Sequence, residues 1–229
     1  MESEIYIDTA EVPPAVQGTP MFRTALAEMR AVLSEPSTVL AFCIHEAGHY
    51  WYFLKMGVPV KAFTFRGPRF RYVMENGKGK IHAEMAVVEP DLSAADLEAF
   101  VRGEDAALAL ARATTAGDVY TRRLTSEKAA AGSERDRCVF QVFFRDLCRC
   151  YPGELREVQE PDYWDKGRLE VLKDLASPDK RAEAWTVAHW LRPLLFREQA
   201  AQRTIPRLVP DSSSSPHFES VWKTNTREF

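Results

Sequence analysis

Residues 42–53 read FCIHEAGHYWYF, an otherwise apolar stretch that contains two histidines and a glutamate. Burying an unpaired carboxylate and two imidazoles costs roughly several kcal/mol, so these groups need a partner, and a metal ion is one such partner. On an α-helix, which turns about 100° and rises about 1.5 Å per residue, His45 and His49 lie roughly 40° apart and one turn apart. Both imidazoles can therefore point at one ion.

Glu46 belongs to the same motif, but its side chain leaves the helix in a different direction from the two histidines. It lies about 100° from His45 and about 60° from His49, so it flanks the same half of the helix without pointing at the same spot. This is the H-E-x-x-H arrangement, in which two histidines bind zinc and the glutamate is the general base for a water that attacks a carbonyl. The alternative is a buried helix whose histidines hydrogen-bond to backbone or carboxylate groups.

Composition and charge favour some classes of protein over others. A chain of 229 residues with 45% hydrophobic and 11% aromatic content can bury the core of one ordinary domain. The net charge of −3, without a dense basic cluster, disfavours nucleic-acid binding. The sequence shows neither a signal-peptide pattern nor a long apolar run, so we expect no membrane span and a cytoplasmic location. In that compartment the four cysteines are expected to be reduced: Cys43, Cys138, Cys148 and Cys150.

Periodicity predicts a mainly α (α+β) fold, a zincin-like helical domain with a small antiparallel β-sheet. Residues 1–19, rich in proline, are predicted to form an arm, 20–202 the domain, and the serine-rich residues 203–229 a flexible tail. Two or three short strands are expected within residues 58–88. Helices are predicted at 21–33, at 36–57 around the motif, from Ser93, and at 104–124, 136–150, 165–175 and 178–202.

The H-E-x-x-H motif alone is incomplete, because a catalytic zinc usually has three protein ligands and one open position. His82 and Glu84 in a predicted strand, His189 in an apolar helix and His217 in the tail are candidates without a special context. For His82 a role on the strand surface, and for His189 a role in the core, is favoured over metal binding. Asp136 differs, because it follows the small-residue stretch AAAGSER and opens an apolar-periodic helix that would hold its side chain rigidly.

The order of these segments resembles a known family. HEAGH at 45–49 is followed by a short β region, by the alanine-rich helix ALALARATTAGDVYTRRL, and by Gly-Ser-Glu-Arg-Asp at 132–136. This order resembles the zinc peptidase domain of FtsH-type proteases, in which the last aspartate of a later Gly-Ala-Ser-Asn-Asp segment is the third zinc ligand. The resemblance covers about residues 36–150 and implies that His45, His49 and Asp136 bind zinc and that Glu46 is the base.

The chain departs from that family in two respects. A Gly-Gly-Arg-Ala-Ala-Glu-like helical segment of the family is replaced by residues 116–121, which contain no glutamate at the corresponding place. This departure leaves Asp118 as the second choice for the third ligand. The family also joins its peptidase to an ATPase, whereas this sequence contains no G-x-x-x-x-G-K-[ST] phosphate-binding loop.

The sequence therefore predicts a zinc-dependent, ATP-independent metalloendopeptidase that cleaves unfolded segments or one specific protein partner. An extended peptide is expected to lie along a sheet edge near residues 69–88, because strand addition satisfies its backbone groups. The alternative is a catalytically inactive, zinc-stabilised binding or regulatory protein with the same fold, which the missing glutamate permits.

Overall fold

The computed structural model describes residues 6–56, 58, 63–85, 87–90, 103–125, 133–193 and 203–204. Within them the helices are α1 (Pro14–Gln17), α2 (Pro20–Leu33), α3 (Pro36–Lys55), α4 (Gly103–Leu124), α5 (Ser133–Cys150), α6 (Glu160–Asp174) and α7 (Pro178–Leu191). The strands are β1 (Asp8–Glu11), β2 (Phe63–Arg66), β3 (Arg69–Glu75), β4 (Lys78–Glu84), β5 (Val87–Pro90) and β6 (Arg203–Thr204). The predicted class, mainly helical with a small sheet, is confirmed.

Helix α3, which carries the H-E-x-x-H motif, lies at the centre of the molecule. Pro36 occupies its first turn, where the missing N–H costs nothing, and 12 of its 20 residues are buried. It packs against α2, α4, α7 and strand β5. Because apolar residues surround the helix on several sides, its polar motif is enclosed rather than displayed on a surface.

Glycines allow the central helices to approach closely. A Cβ atom on Gly48 of α3 would lie 2.8 Å from the backbone carbonyl carbon of Ala116 in α4. A Cβ on Gly167 of α6 would lie 2.6 Å from the backbone carbonyl carbon of Ala111, also in α4. Contacts this short leave no room for a side chain, so α4 is held close to α3 on one side and to α6 on the other.

The first sheet has the strand order β1-β3-β4. Strands β3 and β4 form the predicted antiparallel hairpin, closed by Asn76 and Gly77, both at positive φ (52° and 74°), which suits a two-residue turn. Strand β1 pairs with β3 in parallel, so this sheet is mixed, whereas an antiparallel sheet was predicted. The pairing places part of the predicted arm, residues 1–19, against a strand distant in sequence.

The second sheet has the strand order β5-β2-β6 and is antiparallel. Strand β6 pairs with β2, so regular pairing reaches Thr204, just inside the predicted tail. The remaining tail residues, 205–229, and the short helix predicted from Ser93 lie outside the described residues. At its other edge β5 contacts the motif helix α3.

Helix α5 begins at Ser133, so Asp136 lies within the first turn rather than at the predicted start. The buried residues of α5 are Phe140, Phe144 and Leu147. Phe140 packs on Trp164 of α6 with ring centroids 5.4 Å apart, and Phe144 packs on Tyr163 at the same distance. These aromatic contacts fix the middle of α5 against α6.

Candidate metal centre

Three side chains from two helices converge beside α4. His45 Nε2 lies 3.0 Å from His49 Nε2 and 3.2 Å from Asp136 Oδ2, and His49 Nε2 lies 3.4 Å from Asp136 Oδ1. The two histidines are buried, and the Asp136 side chain is 14% exposed. The structure thus brings together the three residues that the sequence predicts as ligands, and this group could hold a metal ion.

A hydrogen bond to the backbone assigns Nε2 of neutral His49 as an acceptor. Nδ1 of His49 lies 2.8 Å from the carbonyl oxygen of Ala113, which can only accept, so Nδ1 carries a proton and donates it. In the neutral ring Nε2 is then an acceptor that faces the cluster. Oδ2 of Asp136 is buried and has no hydrogen-bond donor in the described structure. Nε2 of the neutral His49 ring and Oδ1 of Asp136, 3.4 Å apart, are then two acceptors that repel one another unless a proton or a metal ion lies between them.

The dimensions of the group fit a metal ion. Zinc binds histidine nitrogen and carboxylate oxygen at about 2.0–2.2 Å, which in a tetrahedron separates neighbouring ligand atoms by about 3.3–3.6 Å. The three separations here are 3.0, 3.2 and 3.4 Å. An ion therefore needs only shifts of a few tenths of an ångström in these side chains.

Gly117 of α4 keeps the space beside both imidazoles open. A Cβ atom there would lie 2.5 Å from His49 Nε2 and 2.6 Å from His45 Nε2. Sequence reasoning did not single out Gly117, although one signal was present. A glycine inside a long helix costs about 1 kcal/mol relative to alanine, so its place in this alanine-rich helix needs a packing reason.

Helix α4 also orients the rings. Ala113, Gly117 and Thr121 are four residues apart and share one face of the helix. The Ala113 carbonyl accepts from His49, while the Thr121 hydroxyl donates to the Gly117 carbonyl at 2.9 Å and lies 3.5 Å from His45 Nδ1. Groups that bond the far nitrogen of a metal-binding histidine fix its tautomer and direction.

Glu46 lies beside the three converging residues but is not one of them. Its carboxylate is buried, and Oε2 accepts the backbone N–H of Val88 in β5 at 2.6 Å. Burial raises the pKa of the Glu46 carboxyl, although both neighbouring imidazoles act in the opposite direction. A carboxylate with a raised pKa is suited to accept a proton near neutral pH.

The charges of the cluster are strongly coupled. Burial alone would lower the pKa of His49, but attraction to Asp136 and a hydrogen bond with it raise that pKa to about 9. Burial alone would raise the pKa of Asp136, but the two imidazoles hold it well below its usual range. Without a metal, a proton on His49 therefore balances the Asp136 carboxylate.

The other candidates make different contacts. Asp118, the second choice, is buried in α4 and accepts from Arg122 Nε at 2.6 Å. His82 is exposed on β4 and pairs with Glu75 at 3.0 Å, in agreement with a role on the strand surface. Glu84 on β4 forms ion pairs with arginines of β3 and α5. His189 is exposed on α7, so the predicted core role was wrong, and His217 lies outside the described residues.

All four cysteines carry free thiols. In the part of the chain that the structure describes, no helix is both long enough and apolar enough to cross a membrane.

Comparison with known proteins gives no match to a family model, to a curated protein or to a solved structure. The likeness to FtsH-type peptidases therefore depends on the motifs at 45–49 and 132–136.

Proposed function

We propose that this protein is a zinc-dependent, ATP-independent metalloendopeptidase. The observation that carries the proposal is the convergence of His45, His49 and Asp136 beside Gly117, with Glu46 adjacent. Two imidazoles and one carboxylate form a donor set typical of catalytic zinc, which leaves one position open. When bound, zinc supplies Lewis-acid chemistry, which acidifies a water and polarises a peptide carbonyl.

Glu46 is the proposed general base. Its carboxylate follows His45 directly on α3 and is buried, and that burial raises its pKa. Such a group can take a proton from the attacking water and pass it to the leaving amine. The carboxylate is already oriented by the Val88 N–H, which restricts its motion.

The proposed substrate is an extended polypeptide segment. Val88 stands opposite Phe65 in the β5–β2 ladder, yet its N–H is directed to Glu46, so this N–H faces away from β2. The outer edge of β5 thus adjoins the site. Because Glu46 already accepts the Val88 N–H, an extended peptide that adds there as a strand has to displace this hydrogen bond. His45, Glu46 and His49 are only 5–7% exposed, so a folded surface could not reach them. Unfolded segments or a flexible loop of one dedicated partner fit this access.

A second candidate is a catalytically inactive, zinc-stabilised binding or regulatory protein. One observation favours it: Glu46 is already hydrogen-bonded to β5 inside an almost closed site. In that case the metal would join α3 to α5 and stabilise the fold without turnover. The absence of the family's glutamate from residues 116–121 agrees with this alternative.

The substitution Glu46→Gln separates the two candidates, because glutamine keeps the size of glutamate but is a poor proton acceptor. For the peptidase we expect cleavage of an unfolded protein to fall about 10²–10⁴-fold while zinc stays near one equivalent. Glu183→Gln is the control, since this glutamate pairs with Lys180 on α7 and its side chain is 16% exposed. Added ATP should not change the rate.

Wild-type protein that binds zinc but cleaves neither an unfolded protein nor an identified partner would favour the binding protein. A rate that ATP increases in the isolated chain would contradict the ATP-independent mechanism.

A further inference from the structure

The helical turn that carries Asp136 has an arginine on each side of it in sequence. Successive residues of an α-helix are about 100° apart, so Arg135 and Arg137 leave α5 roughly 200° apart, with Asp136 between them. The two guanidinium groups therefore reach opposite neighbours of the helix.

Arg135 reaches the first sheet. Its Nη1 lies 3.0 Å from Glu84 Oε1 on β4, and the Glu84 side chain is only 12% exposed. Glu84 also accepts a hydrogen bond from the buried Arg69 of β3, which in turn contacts Glu11 of β1 at 3.4 Å. Burial alone would raise the pKa of Glu84, but the Arg69 hydrogen bond and the charges of the nearby arginines lower it, so its carboxylate stays ionised. The sheet thus holds Glu84 in one place.

Arg137 reaches helix α6 on the other side. Its Nη2 lies 3.3 Å from Glu160 Oε1 and 3.4 Å from Glu160 Oε2, and the Glu160 side chain is 15% exposed. The same guanidinium lies 5.2 Å from the ring centroid of Trp164. A guanidinium that contacts both a carboxylate and an indole has little freedom to move.

The first turn of α5 has little other support among the described residues. The buried side chains of this helix begin at Phe140, one turn beyond Asp136, and residues 134–139 are exposed or half-buried. Apolar packing therefore fixes the middle of α5, whereas Arg135 and Arg137 make ionic contacts at its beginning. A metal ligand on that turn depends on those ionic contacts for its position.

We propose that Glu84 and Glu160 act through Arg135 and Arg137 as a two-sided clamp that positions Asp136 for metal binding. The clamp consists of these four residues, and none of them belongs to the converging group of His45, His49 and Asp136. This inference depends on the metal centre of the proposed function, but not on peptidase activity. It gives Glu84, a candidate ligand by sequence, a positioning role instead.

The test measures zinc affinity in Arg135→Gln, in Arg137→Gln and in the double variant, by competition with a chromophoric chelator. Groups that hold a metal ligand typically contribute about 10–100-fold to affinity. We expect each single change to weaken zinc binding about tenfold and the double change to weaken it about 100-fold. Arg149→Gln is the matched control, because Arg149 lies on the same helix and pairs with Asp146 at 2.7 Å. The control should stay within about twofold of wild type.

A double-mutant cycle with Asp136→Ala distinguishes positioning from general support of the fold. If the clamp acts through Asp136, the arginine changes should cause no further loss of zinc affinity once Asp136 is absent. Equal losses of zinc affinity with Asp136 present and with Asp136 replaced by alanine would overturn the clamp. Zinc affinity equal to that of wild type in both Arg135→Gln and Arg137→Gln would also overturn it. A wild-type chain that binds no zinc would overturn the clamp and the metal centre together.

Folding is checked in the same experiment. Thermal unfolding of each metal-free variant shows whether the arginine changes leave the chain folded. If an arginine variant does not fold, the same ion pairs are weakened by changing their carboxylates instead, in Glu84→Gln and Glu160→Gln. Glu183→Gln is then the control. These two changes should also weaken zinc binding about tenfold, and unchanged affinity in both would overturn the clamp.

Discussion

Helix α3 meets two carboxylates from neighbouring helices, and their surroundings are opposite in kind. Asp174 of α6 accepts the Tyr52 hydroxyl at 2.6 Å and the Lys55 ammonium at 2.9 Å, so both partners are donors. Asp136 of α5 instead faces Nε2 atoms of His45 and His49, and its Oδ2 has no donor in the described structure. Tyr52 and Lys55 satisfy the first carboxylate, whereas the second needs a cation, which is a proton on His49 in the metal-free chain and the metal ion when one is bound.

This difference separates a structural contact from a candidate functional site. Removing a hydrogen-bond partner from the cluster around Asp174 should reduce the stability of the fold and leave metal binding unchanged. Altering the cluster of His45, His49 and Asp136 should instead weaken metal binding. Substitutions at both carboxylates and at Gly117 test this separation, the largest expected effect first.

Gly117→Ala should abolish zinc binding, because the new Cβ would lie 2.5 Å from His49 Nε2 and fill the space for the ion. The metal-free protein should remain folded, since alanine favours the helix by about 1 kcal/mol over glycine and offsets part of the strain. Zinc content by elemental analysis and helicity by circular dichroism measure the two effects. Gly153→Ala is the control, since a Cβ there meets no atom within 4 Å. A full equivalent of zinc in Gly117→Ala would place the ion elsewhere.

Asp136→Ala should weaken zinc binding by more than the roughly 10–100-fold typical of residues that only support a ligand. Asp118→Ala should have a much smaller effect, because Asp118 is bonded to Arg122 and lies outside the converging group. A metal-competition titration ranks the two variants. The reverse order would make Asp118 the ligand.

The sequence was sufficient to identify those site residues whose positions depend on local helix geometry. The spacing of His45 and His49 on one helix was enough to predict that they converge, and the setting of Asp136, together with the family resemblance, placed it ahead of Asp118. The structure brings all three together, while their binding of zinc stays a prediction. Gly117 could not be selected in this way, because its role depends on which helix packs against α3.

In the fold as well, local elements were predictable from the sequence and contacts between distant segments were not. Helices α2, α3 and α4 and the β3–β4 hairpin follow from periodicity and turn residues, so their predicted positions agree closely with the structure. The parallel pairing of β1 with β3 joins segments distant in sequence, and no local pattern encodes such a pairing. His189 was assigned to the core because apolar residues surround it in sequence, but on α7 they leave its own face exposed.

Asp174→Asn should have the smallest effect and should act on stability alone. Burial would raise the pKa of Asp174, but the Tyr52 hydrogen bond and Lys55 lower it below the ordinary 3.8. A lowered pKa means that the ionised carboxylate stabilises the fold above pH 3.8 and that this contribution is lost as pH falls through the folded-state pKa. We expect the free energy of unfolding to fall by about 0.5–1 kcal/mol at pH 7, because the pair is partly exposed to solvent.

Urea unfolding of wild type and Asp174→Asn across this pH range measures the difference, which should shrink in acid. Zinc affinity should be the same in both proteins. A loss of zinc in Asp174→Asn would remove the distinction between the two carboxylates.

The most direct test of the metal centre is an anomalous difference map from crystals of the zinc-loaded protein, recorded on both sides of the zinc absorption edge. We predict one peak about 2.0–2.2 Å from Nε2 of His45, from Nε2 of His49 and from a carboxylate oxygen of Asp136. A peak bound by other residues, or no peak in crystals grown with excess zinc, would contradict the account.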